Sequence, residues 1–308
     1  NISQEDFMEK TTDYLDMLKI RLSYGSNGNQ AITPYRTLNR LSLTNYIWGD
    51  HGTTVNGAYL ARDAVGNPNL KWETSYTFNA GLDFSFFAGR LSGSLDAYVI
   101  NTKDLLMSRT VPYMNGYRSI MDNVGQTRNK GVEIMLNSIN IQNPEFQWTT
   151  SLNFALNRDE IVELRGDGKD DITNKWFIGE PVRAIYDYNV VGIWQEDDEY
   201  YTADGQEIQA GAQPGYAKIE DKNGDGIISS DDKYVLGSEL PSFTMSMSNR
   251  FDYKNFYLSF LLNGVFGQMK QLNDYQPERW GWGYNWLSDM NYWTPENPDA
   301  DAVSPAYN

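Results

Sequence analysis

The sequence has no cysteine and a single histidine, His51. The lack of cysteine excludes a disulfide framework and cysteine-based metal sites, and one histidine cannot supply a histidine-rich zinc site. Serine catalysis of the triad kind would have to use His51, yet no G-x-S-x-G nucleophile motif is present. We therefore interpret His51, in the run WGDHGT, as a surface-loop residue.

Positive charge is scarce, and long hydrophobic runs are missing. The chain has 25 basic and 41 acidic side chains, a formal net charge of −16 and a pI near 4.4. This balance argues against nucleic-acid binding and against binding anionic lipid through net charge alone. No run of 18 apolar residues exists, so no transmembrane helix is predicted. Neighbouring carboxylates such as Asp159/Glu160 and Asp170/Asp171 are expected to be solvated.

Residues 71–104 are predicted to form one long β-hairpin with a short turn at 87–90. Alternate side chains of a strand share a face. Both strands exceed the roughly 5–6 residues that are typical of soluble domains and reach the roughly 9–11 that a membrane-crossing strand needs. A long hairpin of a soluble β-protein is the alternative. One face carries Trp72, Thr74, Tyr76, Phe78, Ala80, Leu82, Phe84 and Phe86, and the other includes Glu73, Asn79 and Asp83.

Five further segments are predicted to be strands, with turn chemistry expected at 25–29. They are residues 18–24, 131–141, 146–157, 242–252 and 256–262. Short turns fall at 87–90, 142–145 and 253–255, and long connections at 26–70, 104–129 and 265–308.

The connection lengths predict which end of each strand lies outside the cell. Outer-membrane barrels have short periplasmic turns and long external loops. Strands alternate in direction, so the strand ending at residue 157 runs outward and the strand that begins at residue 242 runs inward. Residues 158–241 are then one extracellular excursion, and the strand-like run 182–194 within it does not cross the membrane. Seven crossings form an open sheet whose edges hydrocarbon does not tolerate. We therefore expect further strands before residue 1 and after residue 308.

Residues 221–232, DKNGDGIISSDD, match a calcium loop of the EF-hand or dockerin type. Position twelve is Asp instead of Glu and no flanking helices are predicted, so a solvated acidic turn is the alternative. We expect one structural Ca²⁺ here. Its predicted ligands are Asp221, Asn223, Asp225, the carbonyl of Ile227 and Asp232, with Gly226 at the sharp turn.

The predicted extracellular loop 265–308 is dense in aromatic residues. Aromatic faces stack on sugar rings and anchor protein interfaces, so this cluster is a candidate contact for substrate or partner. Packing within a folded loop is the alternative. The candidates are Trp280, Trp282, Tyr284 and Trp286, followed by Tyr292 and Trp293.

Long stretches of the chain resemble the SusC/RagA group of TonB-dependent outer-membrane transporters. The resemblance covers about nine-tenths of the chain in the right order. It rests on LKIRLSYGSNGNQ (18–30), GNPNLKWETSYTFNAGLDFSFFAGRLSGSLDAYVINTKDLL (66–106), NVGQTRNKGVEIML (123–136), SLNFALNRDEIVEL (151–164), IGEPVRAIYDYNVVGIWQEDDE (178–199), GYAKIEDKNGDGIISSDDKYVLGSELPSFTMSMSN (215–249) and YWTPENPDAD (292–301).

The resemblance implies an all-β segment, residues 1–308, of a large plugged barrel in the outer membrane of a Bacteroidetes-type bacterium. It implies uptake of glycans, oligosaccharides or oligopeptides and no enzymatic activity. The implied partners are a SusD-like surface lipoprotein, outer-membrane lipid and the TonB complex, acting through a plug outside this sequence. Two alternatives are a soluble or surface carbohydrate-binding or adhesin protein, and an outer-membrane barrel enzyme.

Overall fold

The structure, a computed structural model, describes residues 2–11, 13–30, 34–39, 41–48, 52–60, 65–110, 114, 119–270 and 291–304. The chain divides into two compact units. We call Asn1–Val182 with Pro241–Gly267 the strand unit, and Arg183–Leu240 with Gln268–Asn308 the loop unit. No helix within the described ranges is long and apolar enough to span a membrane.

Strands dominate the described residues. In chain order they are β1 (Leu15–Asn29), β2 (Leu41–Trp48), β3 (Thr53–Leu60), β4 (Glu73–Phe86), β5 (Leu91–Lys103), β6 (Leu106–Thr110), β7 (Ser119–Asn123), β8 (Gln126–Gln142), β9 (Phe146–Glu163), β10 (Ala184–Asp187), β11 (Val190–Ile193), β12 (Ala217–Ile219), β13 (Tyr234–Ser238), β14 (Phe243–Tyr253) and β15 (Phe256–Phe266). Short 3-10 helices span Ile2–Gln4, Asp6–Thr11, Ile172–Asn174 and Ser230–Asp232.

The strand unit is built around one antiparallel sheet of seven strands, in the order β1-β4-β5-β8-β9-β14-β15. This order confirms the all-β fold and the predicted number of strands, seven, in the large sheet. Within the described residues, β1 and β15 each pair with one strand only, so the sheet is open. The run 182–194 forms β10 and β11, which pair with β13 and β12 and lie outside the large sheet.

Three tight turns join β4 to β5, β8 to β9 and β14 to β15, close to the predicted positions. In the first turn Phe87 and Ala88 adopt left-handed φ values of 57° and 56°. The Asp16 carboxylate accepts the backbone N–H of Ala88 at 3.1 Å and of Gly89 at 2.9 Å. A register shift between Leu15 and Met17 brings Asp16 to this turn. The long β4–β5 hairpin is thereby fixed at its tip.

The prediction of a turn at 25–29 is wrong, because β1 continues through these residues. Gly25 lies opposite Thr77 and Asn29 opposite Glu73. A Cβ on Gly28 would lie 2.8 Å from Cε3 of Trp72. Glycine at position 28 leaves room for the indole ring of Trp72. Side-chain packing, and not a turn, is therefore the reason for a glycine here.

Other strands are also longer than predicted. β8 begins at Gln126 and β9 ends at Glu163, where the ion pair between Arg128 and Glu160 joins the two strands at 3.0 Å. The connections 26–70 and 104–129, predicted as loops, contain the two-stranded hairpins β2–β3 and β6–β7.

Candidate functional site

One face of the large sheet is polar. The register places Arg21 opposite Gly81, Gly81 opposite Asp96, and Asp96 opposite Glu133. Residues directly opposite one another lie on the same face, and every second residue along each strand joins them there. We call this face the polar face. Its side chains include Lys19, Arg21, Asn79, Asp83, Ser94, Asp96, Tyr98, Glu133, Asn153, Asn157, Ser246 and Asn263.

The opposite face, which we call the apolar face, is mostly aliphatic through the middle of the sheet, with Phe84 and Phe154 among the aliphatic side chains. Phe78 is 48% exposed and Leu95 is 38% exposed, so little of the strand unit covers them. The prediction that the even-numbered residues 72–86 share one face is confirmed. Members of the apolar face include Ile20, Leu22, Phe78, Leu82, Phe84, Leu95, Val99, Val132, Ile134, Leu136, Leu152, Phe154, Leu156, Met245, Met247 and Leu262.

Aromatic side chains mark both ends of the apolar face. Near the tight turns the Phe251 ring stacks on Trp148 at 5.4 Å and on Phe260 at 6.2 Å between centroids. At the opposite end Phe243 stacks on Phe266 at 4.5 Å. An aliphatic band between two aromatic girdles is the pattern of strands that cross a lipid bilayer.

One buried polar side chain anchors the girdle near the turns. Asn249 is 5% exposed and lies on the apolar face. Its side-chain oxygen accepts the indole N–H of Trp148 at 3.0 Å and the hydroxyl of Thr150 at 2.7 Å. The indole is therefore held at a fixed height. This role was not predicted from the sequence. A polar asparagine among the apolar alternate residues of β14 could have indicated it.

On the polar face an arginine bridges three strands. Arg21 donates from Nε to Asp83 at 2.9 Å, and from Nη2 to Asp83 at 2.8 Å and to Asp96 at 2.9 Å. Gly81 lies beneath the guanidinium, where an added Cβ would lie 2.7 Å from Arg21 Cζ and 2.6 Å from Asp96 Oδ1. This network holds β1, β4 and β5 in register. Only the position of Asp83 on the polar face of its strand was predicted from the sequence.

The loop unit packs around Trp194, which is 2% exposed. The Tyr200 ring stacks on it at 4.9 Å, and Lys218 Nζ lies 4.6 Å from its centroid. Lys218 also pairs with Asp198 at 2.8 Å. Burial raises the pKa of Asp198, but hydrogen bonds from the Gln195 N–H and from Lys218 outweigh burial and hold that pKa below its ordinary value.

The candidate aromatic contacts Trp280, Trp282, Tyr284 and Trp286 lie outside the described residues, as does His51. Trp293, from the end of the same cluster, is 6% exposed and donates its indole N–H to Gln195 at 2.9 Å. Trp293 is therefore a packing residue of the loop unit.

The predicted calcium loop is a series of tight turns closed by Asp232, whose side chain is fully buried. The Asp232 carboxylate accepts the N–H of Lys222 at 2.9 Å and of Ser229 at 2.7 Å. These backbone hydrogen bonds, the one from Ser229 foremost, hold the pKa of Asp232 below its ordinary value. Asp221 accepts the N–H of Gly224 at 2.7 Å and of Gly226 at 2.8 Å.

This geometry resembles a calcium loop in its turns. Gly226 has a left-handed φ of 86°, and the Ile228 N–H donates to the Ile208 carbonyl at 2.6 Å. Within the described ranges no group of three or more acidic or histidine side chains is gathered to hold a metal ion. The donor set is hard oxygen, which suits Ca²⁺. Calcium binding stays a prediction.

Comparison with known proteins places this arrangement in a family. A model described as "TonB dependent receptor-like, beta-barrel" matches residues 11–308. TonB-dependent receptor P26 of Formosa agariphila is 35% identical over 97% of this chain and 31% of its own length. TonB-dependent receptor SusC of Bacteroides thetaiotaomicron is 31% identical over 85% of this chain and 26% of its own length. The chain spans about a third or less of these relatives.

Solved structures show the same fold. A chain from the structure of the RagAB peptide transporter superposes with a TM-score of 0.72 at 25% identity, over 98% of this chain and 33% of that one. RagAB in its open-open state superposes with a TM-score of 0.69 at 25% identity, over 96% of this chain and 31% of that one.

Proposed function

The chain belongs to the TonB-dependent receptor-like β-barrel family of outer-membrane proteins, and we propose that it forms wall and outer loops of a SusC-type nutrient transporter. In this proposal the polar face lines the transport lumen and the apolar face meets lipid. The cargo is a glycan, an oligosaccharide or an oligopeptide. Energy comes from TonB acting on a plug outside this sequence, and a SusD-like lipoprotein acts with the barrel.

The observation that carries the proposal is the two-faced sheet. Its strands run from 11 to 18 residues, long enough to cross a bilayer when tilted. A lipid-facing apolar band and a polar lumen both follow from one period-two pattern. A soluble adhesin would need a second layer over the apolar face. A barrel enzyme would need a positioned acid–base set on the wall, whereas RagAB, one of whose chains this chain resembles in fold, is a peptide transporter.

The topology follows from the turns. Three tight turns lie at one end of the sheet, which we place in the periplasm. The long connections that follow Glu163 of β9 and Phe266 of β15 then lie outside the cell, where cargo and the lipoprotein arrive. We also propose one structural Ca²⁺ in the loop 221–232, with Asp221, Asn223, Asp225, the Ile227 carbonyl and Asp232 as ligands, to stiffen this external region.

Uptake by the full-length protein in its native host tests the function. Labelled oligosaccharides and labelled oligopeptides are offered to wild-type cells, to a deletion strain and to the complemented strain. We expect uptake of one class to be lost on deletion, restored by the gene and abolished when the proton gradient is dissipated. A surface lipoprotein should copurify in detergent. Equal uptake of both classes with and without the gene would contradict the proposal.

A further inference from the structure

Positive charge gathers at one end of the apolar face. This is the end away from the tight turns, and the strand register places each of the cationic side chains on that face. A cationic patch is unexpected in a chain whose formal net charge is −16. We call the patch the basic rim, and its members are Lys103, Arg128, Lys130 and Arg158.

Two members of the basic rim face each other directly. Lys130 lies opposite Arg158 across the β8–β9 pair, and its other neighbour is Val99 on β5. Like charges in directly opposed positions destabilise a strand pair. Arg158 donates from Nη1 to the Ser242 carbonyl at 2.7 Å and to the Asn157 carbonyl at 3.2 Å. These contacts fix the guanidinium in place without neutralising its charge.

Acidic side chains do not balance the rim. Glu160 pairs with Arg128 at 3.0 Å, and Glu163 lies opposite Gln126, farther toward the strand ends. Among the described residues, Lys130 and Arg158 form no ion pair with a carboxylate. The rim therefore keeps an excess of positive charge, centred on the opposed pair.

The rim borders the aliphatic band. Val132 lies opposite Leu156, one step along the same face from the Lys130–Arg158 pair, or about 7 Å at the usual rise of a strand. On the side toward β1, a groove is lined by two cations of the rim, Lys103 and Arg128, together with Tyr24, Tyr76, Phe78 and Val99. A ligand seated here meets cations at one end and apolar or aromatic surface at the other.

We propose that the basic rim binds the phosphate of an anionic lipid headgroup in the outer leaflet. The inference rests on the proposed function, because it requires the apolar face to meet the membrane. Guanidinium and ammonium groups on adjacent strands match phosphate in charge, and Arg–phosphate hydrogen bonds are among the stronger kinds in proteins. The bordering aliphatic band is where the acyl chains of such a lipid lie, so a lipid fits better than a soluble anion.

The test uses the full-length protein purified in detergent and monophosphorylated lipid A as the probe. Binding is measured by native mass spectrometry for wild type and for the double variant K130Q/R158Q. The matched control is R90Q/K254Q, which removes one Arg and one Lys at the tight turns, where Arg90 also binds main-chain carbonyls. We expect a loss of about 30-fold in affinity for the rim variant and none for the control.

The outcomes separate the alternatives. Unchanged lipid binding by K130Q/R158Q, or equal binding of the dephosphorylated lipid, would overturn the inference. Competition by millimolar inorganic phosphate that displaces the lipid completely would show a soluble-anion site instead. If the double variant does not fold, K130Q is compared with K130R, which should bind as wild type does. Extraction of the wild-type protein without detergent would contradict the proposed function itself, independently of the rim.

Discussion

Arg21 donates hydrogen bonds to both carboxylate oxygens of Asp83 across the β1–β4 pair, at 2.9 Å and 2.8 Å. The pair is bidentate, the geometry in which Arg and carboxylate bind with most directional specificity. It lies on the polar face, and the same guanidinium also reaches Asp96. A face that lines a water-filled lumen leaves these charged side chains in contact with water, so they avoid the cost of desolvation. Their partial exposure is consistent with that position.

Gly81→Ala should weaken this network. The new Cβ would lie 2.7 Å from Arg21 Cζ, so the guanidinium has to move off its carboxylates. Inserting a methyl group into a packed site typically costs about 1–3 kcal/mol. Heat-modifiable gel mobility of the purified protein measures the effect. The control is Gly25→Ala on β1, where an added Cβ would meet no atom within 4 Å. Equal melting of the two variants would contradict the prediction.

Leu82→Arg should destabilise the folded protein in the membrane. Leu82 lies in the middle row of the apolar face, opposite Ile20 and Leu95. An arginine on the lipid face near the bilayer midplane costs roughly 2–4 kcal/mol. Asn153→Arg, at a similar height on the polar face, is the control and should cost far less. Reversible folding into lipid vesicles compares the two, and a larger loss for Asn153→Arg would reverse the assignment of the faces.

Calcium should bind the loop 221–232 and stabilise it. The loop holds four carboxylates in twelve residues, three of them at predicted ligand positions, and they repel one another without a cation. Binding of the cation to the folded form alone raises its stability. An external loop of this kind needs an affinity of only about 10⁻⁴–10⁻³ M. Calorimetry on EDTA-treated protein tests this, with Asp225→Ala expected to abolish the heat and Asp204→Ala to retain it. Identical melting with and without millimolar calcium would leave the acidic-turn interpretation.

An epitope tag at Gly205 should be reachable from outside the cell. Gly205 has a left-handed φ of 80°, and an added Cβ there would meet no atom within 4 Å, so the turn has room for an insertion. The tag reports on the excursion between β9 and β14. Antibody should bind intact cells. Binding only after permeabilisation of the outer membrane would reverse the proposed orientation.

The period of two made most of the large sheet predictable from sequence. Residues 72–86 and 146–157 alternate without a break, so their faces were unambiguous. The turn predicted at residues 25–29 was wrong because Gly and Asn favour turns locally. Pairing with β4 and the contact with the ring of Trp72 decide the actual conformation. Local propensity was outweighed there by a contact from a distant segment.

The candidate sites were less predictable because they depend on register. Arg21 and Asp96 are 75 residues apart in sequence and meet only because β1, β4 and β5 align as they do. The opposition of Lys130 and Arg158 depends in the same way on the β8–β9 pairing. Alternation predicts the face of each residue, but it does not predict which residue lies opposite.

Cysteine labelling of the full-length protein in native membranes tests the two-faced wall most directly. This sequence has no cysteine, so single substitutions report on one position of the segment at a time. The account predicts that a water-soluble thiol reagent labels cysteine at positions 79 and 83 and spares positions 78 and 82, which a lipid-soluble reagent should reach. Labelling of 78 and 82 by the water-soluble reagent, with 79 and 83 protected, would contradict it.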